Sequence, residues 1–284
     1  MSAHSCTRRT LLTGGLVASA TLALSQEQAA AAARSPLASV RPLAKAHAHN
    51  DYEHTRPLFD ALEHGFTSVE ADVWLVDGEL YLGHDGPDLS RTLRSFYLEP
   101  LDRLARLGNG RTFPRRKTPI QLLIDIKSDG DAAWPVVQQQ LSQYPKLMTH
   151  WVRGRRRDRA VTAVLSGNLA QRTSEVAVRW AGFDGRLTSP LPAGANSEQL
   201  PLLSDNWTKL FTWQGFGPMP AAERTKLHRI VSDAHAGGYR VRFWATPDLA
   251  LPNREALWSE LVAAGVDHIN TDDLAGLRSF LSNR

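Results

Sequence analysis

Three segments of the chain place two polar residues two positions apart inside an otherwise apolar run. The pairs are His47 and His49, Glu70 and Asp72, and Asp125 and Lys127. In a β-strand, residues i and i+2 point to the same face, so each segment would aim two polar groups in one direction. Burying such groups is costly unless they bind something. A hard cation held by carboxylates and flanked by imidazoles accounts for the pattern and suits cleavage of a phosphodiester.

Glu70, Asp72 and Asp125 are the candidate metal ligands. Three carboxylates, completed by waters and a substrate phosphate, are a usual way to hold Mg²⁺ or Ca²⁺. Zinc is disfavoured because the sequence has neither a cysteine pair nor two histidines at zinc-ligand spacing. We therefore expect one divalent cation, Mg²⁺ or Ca²⁺, which neutralises a phosphoryl oxygen in the transition state.

His49 and His84 are the candidate catalytic residues. His84 lies in a Gly-His-Asp segment one hairpin after Asp72. Imidazole suits proton transfer near neutral pH, so one ring would take a proton from the attacking hydroxyl or water and the other would protonate the leaving oxygen. A single histidine is more often a hydrogen-bonded core residue, but two at strand ends beside an acidic pair favour catalysis. His47 lies deeper in its strand and is expected to support the site.

Lys127, Asn50 and Trp244 are the candidate substrate-binding residues. Lys127 could contact phosphate or hold a carboxylate, and Asn50 could bind phosphate or cap a turn. Trp244 could form a wall of the pocket or belong to the core. Trp213 and Phe216, in a glycine-containing segment, are candidates for contact with a lipid or its head group.

Strand-like and helix-like segments alternate along the chain, which predicts parallel strands joined by crossover helices. The predicted parallel strands are Leu43–His49, Thr67–Leu75, Ile120–Ile126, Ala160–Leu165, Glu175–Trp180, Leu200–Leu203, Tyr239–Ala245 and Val266–Asn270. Eight such units favour an α/β fold of the (β/α)₈ TIM-barrel type, whose working face lies at the carboxyl ends of the strands. An open doubly wound sheet is disfavoured because no glycine-rich phosphate turn follows the first strand.

Residues 1–33 have the order of a twin-arginine signal peptide. Arg8 and Arg9 precede an apolar stretch from Leu11 to Leu24 and an alanine run. The stretch is short and rich in Gly, Ser and Thr for a membrane anchor. We therefore predict a secreted or extracytoplasmic protein whose phosphodiesterase barrel occupies residues 34–284. Cys6, the single cysteine, lies in the leader, so no disulfide is expected.

The formal net charge of +4 arises from interspersed charges of both signs. It gives no argument for a nucleic-acid partner, and we expect a monomer that binds a phosphodiester, possibly at a membrane surface. The sequence has neither the Gly-x-Ser-x-Gly motif of serine hydrolases nor a P-loop.

The ordered motifs resemble the superfamily of phosphatidylinositol-phospholipase-C-like phosphodiesterases, which includes glycerophosphodiester phosphodiesterases and sphingomyelinase D. They are most similar to the branch named for altered inheritance of mitochondria protein 6. The segments that carry the resemblance are His49–Tyr52, Ser68–Trp74, Leu80–Asp85 and Arg242–Asp248.

This resemblance implies a distorted (β/α)₈ barrel and a divalent cation. It also implies His49 and His84 as acid and base, carboxylate ligands at Glu70, Asp72 and Asp125, and substrate-side positions at Lys127 and Trp244. Glycerophosphodiester phosphodiesterases usually carry His-Arg-Gly where this chain has His49-Asn50-Asp51.

The sequence thus predicts an exported, metal-dependent phosphoric diester hydrolase that acts on a phospholipid or a glycerophosphodiester. Two alternatives remain. One is a catalytically weak barrel that binds lipid head groups, and the other is a phosphomonoesterase on the same fold.

Overall fold

The computed structural model describes residues 35–170 and 176–284, and its central feature is a closed barrel of eight parallel strands. In chain order the strands are β1 (Leu43–Ala48), β2 (Phe66–Val76), β3 (Glu79–Leu82), β4 (Asp88–Thr92), β5 (Ile120–Ile126), β6 (His150–Val152), β7 (Arg155–Arg157), β8 (Val161–Gly167), β9 (Val178–Arg179), β10 (Ala181–Arg186), β11 (Leu202–Asn206), β12 (Arg240–Trp244) and β13 (His268–Thr271). Around the barrel the order is β1, β2, β5, β8, β10, β11, β12 and β13, and β13 pairs with β1 to close it. The predicted (β/α)₈ fold is confirmed.

Helices connect most of the barrel strands. They are α1 (Phe59–Glu63), α2 (Glu99–Leu107), α3 (Gly130–Ser142), α4 (Trp207–Leu210), α5 (Ala221–Ala236), α6 (Pro252–Ala264) and α7 (Leu274–Ser282), with a 3₁₀ turn at Asp51–Glu53 and a π-helical turn at Arg94–Leu98. Local signals set several ends. The Asp129 side chain caps α3 by accepting from the Ala132 amide at 2.7 Å, and α6 ends at Gly265 in the left-handed conformation.

The predicted fifth strand is wrong. The structure describes only Val178–Arg179 of the predicted Glu175–Trp180 as a strand, and Glu175 lies outside the described residues. The strand β9 belongs to a separate three-stranded sheet with β6 and β7, and the fifth barrel strand is β10. Its sequence, Ala-Gly-Phe-Asp-Gly-Arg, lacks an apolar pattern because two of its inward positions hold a charged pair, Asp184 and Arg186.

The interior of the barrel is largely polar, whereas the apolar core lies between the barrel and its helices. Along β2, Val69, Ala71 and Val73 belong to that core. The alternate residue Glu70 contacts Arg242 of β12 at 2.6 Å. The strands β2 and β12 are not neighbours, so this contact crosses the interior of the barrel. The alternation therefore gives β2 an apolar outer face and a polar inner face, while Leu123, Val164 and Leu202 form a small apolar layer inside the barrel.

Within the described ranges, no helix has the length and apolarity needed to cross a bilayer. The predicted signal peptide at residues 1–33 lies outside these ranges.

Candidate active site

Three carboxylates meet at the carboxyl end of the barrel. Asp72 of β2 and Asp125 of β5 are partners in the parallel register, and Glu70 lies two residues before Asp72 on the same face. One possible ligand atom from each of the three lies within 4.8 Å of the others. Glu70 and Asp72 are buried, and Asp125 is partly exposed. The three predicted metal ligands are therefore brought together as one cluster, which we call the acidic cluster.

Two cationic side chains flank the acidic cluster. The Lys127 Nζ atom lies 3.0 Å from Asp72 Oδ2 and 3.6 Å from Asp125 Oδ2. From the opposite wall, the Arg242 Nη2 atom donates to Glu70 Oε2 at 2.6 Å. Two positive charges against three carboxylates leave the cluster with an excess of negative charge when all three are ionised.

Burial and the neighbouring charges shift the pKa values of Asp125 and Glu70 in opposite directions. Burial and the neighbouring charge of Glu70 raise the pKa of Asp125 to about 6. Burial opposes ionisation of Glu70 too, but the guanidinium of Arg242 and the hydrogen bond from His47 hold the pKa of Glu70 far below its usual range. Asp125 therefore loses its proton at a higher pH than an ordinary aspartate, and a bound cation would favour its ionised form.

The residues present fit a divalent cation. The Asp72 Oδ1 and Asp125 Oδ1 atoms are buried and have no hydrogen-bond partner. Hard cations such as Mg²⁺ and Ca²⁺ prefer carboxylate oxygens, and a cation at the acidic cluster would remove the repulsion that raises the pKa of Asp125. The donor set contains no sulfur and is therefore the set expected for these ions.

His49 lies at the mouth of the barrel, directly after β1. Its Nδ1 atom lies 2.9 Å from the Asp272 Oδ1 atom, and 29% of its side chain is exposed. Burial opposes protonation, but the hydrogen bond to Asp272 and the negative charges of Glu70 and Asp272 together outweigh it and raise the pKa of His49. The backbone of Asp272 is held in turn, because its amide donates to Asp248 Oδ2 at 2.6 Å.

His84 lies on the other side of the acidic cluster, beyond the β2–β3 hairpin. Its Nδ1 atom lies 3.0 Å from Asp72 Oδ2 and 3.1 Å from the Tyr52 hydroxyl. The Tyr52 hydroxyl itself donates to Asp72 Oδ2 at 2.8 Å. Burial and the charge of Asp72 raise the pKa of Tyr52, so its hydroxyl stays protonated. The His84 side chain is 51% exposed, and its remaining nitrogen can therefore meet a ligand.

The other predicted residues differ in how directly they join the site. His47 is fully buried, and its ring nitrogens lie 2.7 Å from Ser68 Oγ and 3.2 Å from Glu70 Oε2. Burial and the charge of Arg242 lower the pKa of His47 to about 4, so the ring is neutral and supports the carboxylate. Asn50 accepts from the Tyr52 hydroxyl at 3.1 Å.

Trp244 ends β12, where it is partly exposed and pairs in register with Asn206. In the part of the chain that the structure describes, no hydrogen bond or ring contact joins Trp244 to the acidic cluster. Trp213 is only 8% exposed, so of the two aromatic residues predicted to contact lipid only Phe216, at 70%, is available at the surface.

Four residues of the site were missed as participants by sequence reasoning. These are Tyr52, Arg242, Asp248 and Asp272. Asp272 carried a signal, since it falls just after a predicted strand. Arg242 carried one too, since it lies two positions before Trp244 and shares its strand face. Nothing in the local pattern indicates that Tyr52 would turn back onto Asp72.

Gly167 at the end of β8 makes room for Asp125. Its φ of +73° is in the left-handed region, and a Cβ atom added there would lie 2.0 Å from Asp125 Oδ1. A side chain at this position would therefore displace a carboxylate of the acidic cluster.

The sequence of this chain is similar to those of known phosphodiesterase families and of proteins from several fungi. Residues 36–178 match the AIM6-like phosphodiesterase domain, and residues 240–275 match the glycerophosphoryl diester phosphodiesterase family. Altered inheritance of mitochondria protein 6 from Eremothecium gossypii is 30% identical over 84% of this chain and 69% of its own length. The homologue from Arthroderma benhamiae is 27% identical over 82% of both chains. For the relative from Lachancea thermotolerans, which is 29% identical, this chain spans 65% of the length.

Solved structures share the fold at low sequence identity. A Ca²⁺-dependent phosphatidylinositol-specific phospholipase C from Streptomyces antibioticus has a TM-score of 0.54 at 14% identity, over 84% of this chain and 95% of its own. A glycerophosphodiester phosphodiesterase from Parabacteroides distasonis has a TM-score of 0.51 at 16% identity, over 86% of this chain and 99% of its own. At such identities the likeness shows the barrel fold alone.

Proposed function

Because the chain belongs to the AIM6-like phosphodiesterase family, we propose that it is an exported, metal-dependent phosphoric diester hydrolase. Its substrate is a phospholipid or a deacylated glycerophosphodiester, and His49 and His84 are its acid–base pair. One observation carries the proposal. The acidic cluster lies at the mouth of the barrel, and a partly exposed imidazole held by a carboxylate lies on each side of it.

Glu70, Asp72 and Asp125 would hold the divalent cation, Mg²⁺ or Ca²⁺. When bound, the cation supplies positive charge to a phosphoryl oxygen as negative charge develops there. Lys127 lies beside the same carboxylates with 24% of its side chain exposed, so its ammonium can also contact a substrate phosphate.

The hydrogen bond to Asp272 leaves His49 Nε2 for the substrate. The carboxylate fixes the ring and stabilises the imidazolium that forms when Nε2 accepts a proton from the attacking oxygen. Asp248 positions Asp272 through its amide and so acts on His49 only indirectly.

His84 is oriented in the same way by Asp72 and Tyr52, through Nδ1. Its Nε2 atom can then donate a proton to the oxygen that leaves phosphorus. In the first step the attacking oxygen forms a bond to phosphorus and the bond to the leaving oxygen breaks. If the attacker is a neighbouring hydroxyl of the substrate, the product is a cyclic phosphate, which water can then open.

Action at a membrane surface is supported by exposed apolar side chains at the mouth of the barrel. Phe216, Leu249 and Leu251 are 70%, 76% and 49% exposed and lie in the loops after β11 and β12; we call them the rim patch. The first turn of α6, which follows the loop after β12, contacts the loop after β11, because Asn253 Nδ2 donates to the Gln214 carbonyl at 2.9 Å. Large apolar side chains exposed together are typical of contact with a membrane or a partner.

Export is supported by the twin-arginine pattern at Arg8 and Arg9. Mass spectrometry of the protein from the periplasm or medium of an expressing bacterium tests it. Cleavage close to residue 33 is expected, and an uncleaved cytoplasmic chain would refute export.

The activity is tested with bis(p-nitrophenyl) phosphate and p-nitrophenyl phosphate, with and without a chelator. We expect turnover of the diester that the chelator abolishes and that His49→Ala or His84→Ala lowers roughly 10²-fold or more. His228→Ala, an exposed histidine on α5, is the matched control and should retain full activity.

The rival functions give different results. A phosphomonoesterase would prefer the monoester, and a head-group-binding barrel would retain lipid ligands without turnover of any diester. Product analysis on mixed lipids then identifies the head group that is released and any cyclic phosphate.

A further inference from the structure

A second polar cavity opens at the amino-terminal end of the barrel, opposite the candidate active site. Its volume of about 390 Å³ falls within the range of roughly 300–1,000 Å³ that is typical of small-ligand pockets. Gln121, Thr162 and Arg240, each at or next to the first residue of its barrel strand, line it together with Arg156 of β7. None of these residues belongs to the acidic cluster.

Arg240 has no ion-pair partner among the described residues, although the charge of Asp267 acts on it from a longer distance. Its Nε atom donates to the Pro201 carbonyl at 3.3 Å, and its Nη1 atom lies 3.3 Å from His268 Nε2. Among the residues that the structure describes, no carboxylate oxygen lies within 4.0 Å of its guanidinium. By contrast, Arg186 and Arg242, which also point into the barrel, each contact a carboxylate at 2.6 Å.

A half-buried guanidinium without an ion-pair partner is costly, because burial removes part of the water that would otherwise solvate it. An anion bound in the cavity would offset that cost. The titration of the group reflects the same balance, since burial and the positive charge of Arg156 lower the pKa of Arg240, and the charge of Asp267 only partly opposes them.

Arg156 brings a second guanidinium to the cavity. Its Nε atom donates to Asp158 Oδ1 at 2.6 Å, and among the described residues its Nη atoms form no hydrogen bond with a carboxylate. Arg155 and Arg157 do not line the cavity, as expected from the alternation of side chains along β7. Glu198 is the only carboxylate in the described lining, and one of its oxygens accepts from Trp151 Nε1.

We propose that this cavity binds a small tetrahedral oxyanion, either free phosphate or the terminal phosphate of a metabolite, between Arg156 and Arg240. Guanidinium groups donate paired N–H bonds that match phosphate oxygens. The hydroxyls of Thr162 and Ser197 line the same wall and supply neutral donors. The site binds without chemistry and does not depend on the proposed hydrolase activity.

Isothermal titration calorimetry tests the proposal, with inorganic phosphate in one arm and glycerol 3-phosphate in the other. The variants are Arg156→Gln and Arg240→Gln, and Arg157→Gln is the matched control because it removes the same charge from the same strand outside the cavity. Both cavity variants should bind at least one probe roughly tenfold or more weakly than the wild type, since each loses a charge-assisted hydrogen bond. Arg157→Gln should retain wild-type affinity.

Two results would overturn the site. One is the absence of binding of both probes to the wild type, and the other is an affinity of Arg156→Gln equal to that of the wild type. Arg156 lies on a surface strand, so its variant should keep the wild-type melting temperature even if Arg240→Gln does not fold. Diesterase activity measured on the same proteins reports on the proposed function separately, because an inactive chain can still bind the oxyanion.

Discussion

The imidazole of His49 and the carboxylate of Asp272 form a 2.9 Å contact that joins β1 to the end of β13 at the mouth of the barrel. This contact sets both the orientation of the ring and its readiness to accept a proton. It is formed across the closure of the barrel, because β1 and β13 are the strands that complete the ring.

Asp272→Asn should lower the pKa of His49, because the hydrogen bond to the carboxylate is the largest of the contributions that raise it. The limb of the pH profile of kcat/KM that reports His49 should therefore move to lower pH. The loss of rate should be smaller than the roughly 10²–10⁴-fold loss expected for His49→Ala. Steady-state kinetics between acidic and alkaline pH measure both effects, and an unmoved limb would contradict the pairing.

Asp125→Asn should remove most of the stabilisation by the divalent cation. Binding to the folded state at 100 times Kd raises the free energy of unfolding by about 2.7 kcal/mol, so Mg²⁺ or Ca²⁺ should raise the melting temperature of the wild type but hardly that of the variant. Asp129→Asn is the control, since asparagine caps α3 as well as aspartate does. Equal thermal shifts in all three proteins would count against the acidic cluster as the cation site.

Gly167→Ala should impair the site and strain the end of β5. The new Cβ would lie 2.0 Å from Asp125 Oδ1 and 2.5 Å from the Ile126 carbonyl oxygen, and the left-handed backbone costs a non-glycine residue about 1–2 kcal/mol. We expect weaker cation binding and lower diesterase activity, measured beside the far-UV circular dichroism spectrum. Full activity would mean that Asp125 can shift without consequence.

Asp51→Asn should change how stability depends on pH. Burial raises the pKa of Asp51 to about 7, although the Tyr97 hydroxyl and the Leu58 amide donate to its Oδ2 atom. Between its ordinary pKa and about 7 the folded state binds a proton that the unfolded state has lost, so this residue lowers stability as pH rises, by up to about 1.4 kcal/mol per pH unit.

An asparagine at position 51 stays neutral and can accept the same two hydrogen bonds. Urea unfolding from pH 4 to pH 9 should therefore show that the stability of the variant relative to the wild type increases up to about pH 7 and stays constant above it. Parallel stability curves for the two proteins would show that Asp51 does not titrate in this range.

Phe216→Ser combined with Leu249→Ser should lower activity on phosphatidylglycerol vesicles but not on a soluble diester. The two substitutions remove the most exposed side chains of the rim patch and touch neither the acidic cluster nor its histidines. Leu191→Ser, at an exposed leucine after β10, is the control. Equal losses on both substrates would point to damage at the catalytic centre instead.

The site was predictable where two polar residues lie two positions apart in the same strand. Glu70 and Asp72, or Asp125 and Lys127, share a face by alternation alone, and the parallel register then sets Asp72 beside Asp125. Residues that join the site through distant contacts were not predictable in this way. Arg242 reaches Glu70 across the barrel, and Tyr52 folds back from a short 3₁₀ turn.

The strand pattern failed where charge replaced apolar residues. Arg186, Ser166 and Ser204 all donate to the Oδ2 atom of the buried Asp184 in β10, so the strand carries polar residues that a hydrophobic pattern would exclude. A hydrophobic pattern therefore favours the more apolar segment just before β10, which is the predicted strand Glu175–Trp180.

The ion pair between Glu70 and Arg242 also limits which truncated forms of the protein can fold. The carboxylate is encoded early, within the stretch matched by the phosphodiesterase domain, and its partner is encoded 172 residues later. A fragment that stopped before β12 would still contain all three acidic residues, yet it would lack two barrel strands and the counter-ion of Glu70. Such a fragment is not a minimal enzyme, and truncation there should yield an insoluble product rather than a smaller catalyst.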